Sequence, residues 1–67
     1  MIQIILNGKS YNIKEKTNIT SLLETLSLSK KKVAVEINEE VLPRDSYDKK
    51  ILSSNDRVEI VNFIGGG

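Results

Sequence analysis

Three features of this sequence predict a single α+β domain in which one short helix covers one face of a mixed sheet. An Asn-Gly pair joins two β-patterned runs near the start, an amphipathic stretch of helical period follows, and two more alternating runs lead to the end. Sixty-seven residues leave room for one core only. A chain this short buries about 60% of its unfolded surface, so its stability is modest and its pockets are small.

The first run, Ile2 to Leu6, is rich in β-branched residues and meets Lys9 to Ile13 across Asn7-Gly8. Asn-Gly suits a two-residue type I′ turn because both central positions need positive φ. That turn sets Leu6 opposite Lys9, Ile4 opposite Tyr11 and Ile2 opposite Ile13. One face then carries Ile2, Ile4, Leu6, Tyr11 and Ile13, and the other carries Gln3, Ser10 and Asn12, with Ile5 left on the outer face. Lys14 to Thr17 is a polar link, and Asn18 is a helix N-cap. Ile19, Leu22, Leu23 and Leu26 follow at helical spacing, with Thr20, Ser21, Glu24 and Thr25 toward water. The helix is expected to end near Ser27 or Leu28. Lys30-Lys31-Lys32 then reads as a solvated turn matched to the negative end of the helix dipole, or alternatively as a partner-docking patch.

Val33 to Ile37 alternates as a strand with Val33, Val35 and Ile37 toward the core. Asn38-Glu39-Glu40 reads as a turn, and Val41-Leu42 as a short pairing segment halted by Pro43. Arg44 to Lys50 is expected as a loop or a single helical turn pinned by Tyr47, with Ile51 and Leu52 returning to the core. Ser53 to Asp56 is a cluster of turn formers. Arg57 to Ile64 is the last strand and runs into Gly65-Gly66-Gly67. The most economical topology sets this strand beside the first, parallel to it, at the sheet centre. That is the β-grasp, or ubiquitin-like, arrangement: a mixed sheet of four to five strands with one main helix. The domain is expected over residues 1–64, with 65–67 as a flexible glycine tail.

Composition removes most chemistry from the body. The chain has neither cysteine nor histidine, which excludes disulfides, thiolate nucleophiles, the commonest general base and the commonest metal ligands. A net charge of +1 gives no strong field for nucleic acid or an acidic membrane. No apolar run approaches a membrane span or a signal-peptide core, so a cytoplasmic location is expected. No nucleophile and base can be assembled into an enzyme site, and no cofactor or metal is expected on this chain. The glycine end remains. Three glycines contribute nothing to a core, yet they make a thin strip of backbone ending in a carboxylate. Taken alone, that tail reads equally as a frayed or added terminus and as a reactive end.

Over nearly its whole length the sequence resembles the sulfur carrier proteins of thiamine biosynthesis. The resemblance rests on Ile4-Ile5-Leu6-Asn7-Gly8, Ser21-Leu22-Leu23-Glu24-Thr25-Leu26 and Val33 to Asn38. It continues through Val41-Leu42-Pro43-Arg44, the aromatic at Tyr47, Asp56 to Val61, and Ile64-Gly65-Gly66-Gly67. Tyr47 stands where many relatives have tryptophan. The resemblance implies a carrier and not a catalyst. An adenylating enzyme akin to the ubiquitin-activating enzymes would use ATP to convert the Gly67 carboxylate to an acyl-adenylate. A sulfur donor such as a cysteine desulfurase relay would turn that into a thiocarboxylate, and thiazole synthase would take the sulfur. Gly65 and Gly66 would thread the partners' active sites. Ile5, Val61 and Phe63, with Ile64, are expected to form a docking patch on the outer face. Alternatives are the small subunit of molybdopterin synthase, a protein modifier conjugated through Gly67, and a β-grasp binding module whose glycines are incidental.

Overall fold

The computed structural model describes residues 1–62. Its five strands are β1 (Ile2–Leu6), β2 (Lys9–Ile13), β3 (Val33–Ile37), β4 (Glu40–Val41) and β5 (Arg57–Asn62), arranged in the order β2-β1-β5-β3-β4. One α-helix, α1 (Ile19–Thr25), and two short 3₁₀ turns, Lys30–Lys32 and Arg44–Ser46, complete the described elements.

The first hairpin has the expected register, from Ile2 opposite Ile13 to Leu6 opposite Lys9. Asn7 and Gly8 both take positive φ, 48° and 83°, as a type I′ turn requires. β5 lies parallel to β1 and antiparallel to β3, at the centre of the mixed sheet. This is the β-grasp arrangement. The β3–β4 hairpin repeats the turn geometry without glycine: Asn38 and Glu39 have φ of 53° and 73°.

Helix α1 begins at Asn18, whose Oδ1 accepts the Ser21 N–H at 2.7 Å. Its other end closes as a Schellman motif. Ser27, at φ 59°, donates its N–H to the Glu24 carbonyl at 3.0 Å, and the Leu28 N–H reaches the Leu23 carbonyl at 2.9 Å. Ile19, Leu22 and Leu23 bury against Ile4, Ile13, Val33, Val35, Ile37, Val58 and Ile60 from the sheet. Tyr47 seals this core from the Arg44–Ser46 side.

Two expectations need correction. Leu52 is buried, but Ile51 is 46% exposed, because it bridges to Asn18 at the sheet's margin and Leu52 alone turns inward. The lysine run is the solvated turn expected, but it is set off from the end of α1, whose last turn holds no basic residue. The lysines form their own 3₁₀ turn, capped by Ser29, after the helix has already closed.

Candidate functional site

The glycine end is reached through β5, so the groups around β5 make up the candidate site. β5 outruns β1, whose last paired residue is Leu6, opposite Val58. Asn7 extends the ladder past that point. Its backbone N–H donates to the Val58 carbonyl at 2.8 Å, and its side chain then behaves as one more peptide unit. Oδ1 accepts the Ile60 N–H at 2.7 Å and Nδ2 donates to the Ile60 carbonyl at 3.3 Å.

On the other flank, Asn38 performs the same service where β5 begins. Its N–H donates to the Arg57 carbonyl at 2.8 Å, and its Oδ1 accepts the Arg57 N–H at 2.9 Å. Nδ2 donates to Asp56 Oδ1 at 3.1 Å, while Asp56 Oδ2 accepts the Ser53 N–H at 2.8 Å. Two turn asparagines thus hold β5 from both sides. Each is placed by the positive φ of its hairpin turn, which few residues other than Asn and Gly adopt readily.

The face of the sheet away from α1 is open. On it Val61 is 60% exposed and lies beside the half-buried Ala34. Glu59 faces Glu36 directly, a like-charge cross-strand pair that weakens the sheet locally. Ile5 is half-buried and level with Arg57. Ile5 and Val61 share this face, but the register sets Val61 four residues, about 13 Å, further along. These two side chains therefore stand apart and do not make one cluster. Phe63, Ile64, Gly65, Gly66 and Gly67, the remaining sequence-predicted site residues, lie outside the described residues.

At the far end of β5, Asn62 pairs with Val33, the residue that follows the lysine turn. Lys30, Lys31 and Lys32 are exposed there. Arg44 joins them, donating its Nε–H to the Lys30 carbonyl at 2.9 Å. Four basic residues accordingly gather at the Asn62 end of β5. The run is conspicuous in the sequence, but only the antiparallel β3–β5 register assigns it to this end. The roles of Asn7 and Asn38 toward β5 were likewise hidden, since a turn asparagine announces its own turn and not a distant partner.

No cluster of metal-ligating side chains exists among the described residues, and no helix there is long and apolar enough to cross a membrane. A surface cavity of about 480 Å³ opens between β2 and α1, lined by Tyr11, Thr17, Ser21 and Leu22 among others. It is remote from β5 and contains no pairing of nucleophile and base. What the described residues of the site provide is a central strand, β5, held on both flanks and bordered by basic side chains.

Comparison with known proteins agrees with this geometry. The ThiS family model matches residues 4–67. The chain is similar to the sulfur carrier protein ThiS of Bacillus subtilis, 41% identical over 63 residues, covering 92% of this chain and 96% of that one. The crystal structure of the thiamine biosynthesis protein ThiS from Geobacter metallireducens is similar throughout, with a TM-score of 0.83 at 36% identity. That match covers 98% of this chain and 100% of the other. A thiazole synthase of Paramagnetospirillum magneticum is 38% identical over 66 residues; the match takes in 98% of this chain but spans only 20% of the length of that relative.

Proposed function

The chain belongs to the ThiS family of sulfur carriers, and from that premise we propose that it carries sulfur for thiamine biosynthesis as a thiocarboxylate at Gly67. The observation that carries the reading is the family match itself, which runs through the three glycines to Gly67. A carboxylate with an ordinary pKa near 3.5 is ionised in the cell and is a poor electrophile. Activation has to come from a partner, because the body of this chain offers no histidine or cysteine.

In the proposed sequence an adenylating enzyme joins the Gly67 carboxylate to the AMP portion of ATP, releasing pyrophosphate. The outer sulfur of a persulfide on a donor, such as a desulfurase relay, then displaces AMP to give an acyl disulfide. A second thiol reduces that bond, leaving the thiocarboxylate and a disulfide on the donor. Gly65 and Gly66 allow the backbone to pass where walls touch it on every side. The chain is a co-substrate throughout, binding no cofactor of its own, and works in the cytoplasm, where ATP is supplied. Thiazole synthase is the proposed recipient. The likeness to a segment of longer thiazole synthases supports that recipient over molybdopterin synthase. Val61, with Ala34 beside it, is the apolar contact this reading assigns to docking; Phe63 and Ile64 extend that assignment, and Ile5 stands apart from it.

ATP–pyrophosphate exchange catalysed by the adenylating enzyme tests the activation step. Exchange should depend on the intact chain and disappear when Gly67 is deleted. Exchange that persists after the deletion would contradict the role given to Gly67.

A further inference from the structure

From the four basic residues at the end of β5, we infer that this corner is an electrostatic guide that docks against an acidic surface at the entrance of the adenylating partner's active site. The inference rests on the carrier reading and adds to it a location and a partner chemistry. Two turns build the corner. Lys30–Lys32 is tied to the Arg44–Ser46 turn through the Arg44 Nε–H bond to the Lys30 carbonyl. Val33 opposite Asn62 places the corner at the last described pair of β5, the end from which the sequence continues to the glycines.

Charge is distributed unevenly along the sheet. The two turns hold four basic residues and one acidic residue, Asp45, whereas the rest of the chain has six basic and eight acidic residues. Glu39 and Asp56 stand at the opposite end of β5, beside Asn38 and Arg57. The two turns carry +3 and the rest of the chain −2, so the net charge of +1 conceals a dipole whose positive pole lies at the Asn62 end of β5. A dipole of this kind orients a protein during diffusional encounter and raises the association rate with an acidic target.

Reach decides which anion the corner meets. The five residues beyond Asn62 span at most about 18 Å, well past the length of a lysine side chain. When the tail is extended into a partner, a nucleotide reacting at Gly67 is out of range of Lys30, Lys31, Lys32 and Arg44. What lies against the corner at that moment is the protein surface around the entrance, and carboxylates there complement it.

Stopped-flow association of the full chain with the adenylating enzyme, measured across a range of salt, tests this. Lys31→Glu/Lys32→Glu should slow association about tenfold at low ionic strength and flatten its salt dependence. Lys14→Glu/Lys16→Glu makes the same change in net charge at the far end of the sheet, and should stay within about twofold of the parent chain. Unfolding midpoints of both pairs establish that the fold is retained. Equal slowing by the two pairs, or by neither, overturns the inference. So does a loss of binding to anionic vesicles in Lys31→Glu/Lys32→Glu with enzyme association unchanged, which would assign the corner to a membrane. If the unsubstituted chain is adenylated while the two pairs are indistinguishable, only this inference falls. A chain that is never adenylated removes the carrier reading, and this inference with it.

Discussion

Asn7 carries two separate duties. Its backbone takes the positive φ of a type I′ turn, and its side-chain amide replaces a missing strand residue beside Ile60. The two duties separate in Asn7→Gly, since glycine keeps the turn geometry at no steric cost while both side-chain bonds vanish. The part-buried Ile60 N–H and carbonyl then lose their partner, which should destabilise the domain by about 1–3 kcal/mol. Against a total stability of about 3–10 kcal/mol for a domain of this length, the change is large enough to read by urea unfolding. An unchanged midpoint would mean that water replaces the amide without loss. Val61 shows the opposite character: it is 60% exposed on a central strand, where its side chain gives the core nothing and is free to meet a partner.

At the level of elements, the structure follows the sequence wherever two independent signals agree. Asn-Gly chemistry and strand alternation specify the same β1–β2 register, and the observed pairing matches it residue by residue. Asn18 and the Ile19, Leu22, Leu23 spacing likewise agree on the start and buried face of α1. Agreement failed where only one signal was present. Ile51 and Leu52 are adjacent apolars in an irregular stretch, so no period distinguishes inward from outward, and only Leu52 is buried. The lysine run is near the helix end in sequence, but Ser27 turns the chain before it, and the Ser27 and Leu28 N–H groups take up the Glu24 and Leu23 carbonyls. That serine occupies a left-handed position that glycine usually fills. Ser27→Gly should therefore stabilise the domain by about 0.5–1 kcal/mol, the relief of strain exceeding the added freedom of the unfolded chain. Thermal unfolding measures it, and a lower midpoint would contradict the assignment of strain to this residue.

At the scale of the whole molecule, a small β-grasp body, with no cluster of metal-ligating side chains among its described residues, holds β5 at the centre of its sheet. Two asparagines steady that strand, an open face presents Val61, and a basic corner lies at its Asn62 end. The five residues from Phe63 to Gly67 lie outside the described residues, so the structure informs β5 as far as Asn62 and the family match alone runs on through the glycines. Sequence alone made the glycines conspicuous, but their meaning depended on the fold that carries them. The central claim, that sulfur is carried at Gly67, is tested most directly by intact mass spectrometry of the protein isolated from cells starved of thiamine. The account predicts a population in which one oxygen of the Gly67 carboxylate is replaced by sulfur, localised to that residue by fragmentation. A chain whose terminus remains an unmodified carboxylate under those conditions, or which is found joined through Gly67 to lysines of other proteins, would contradict it.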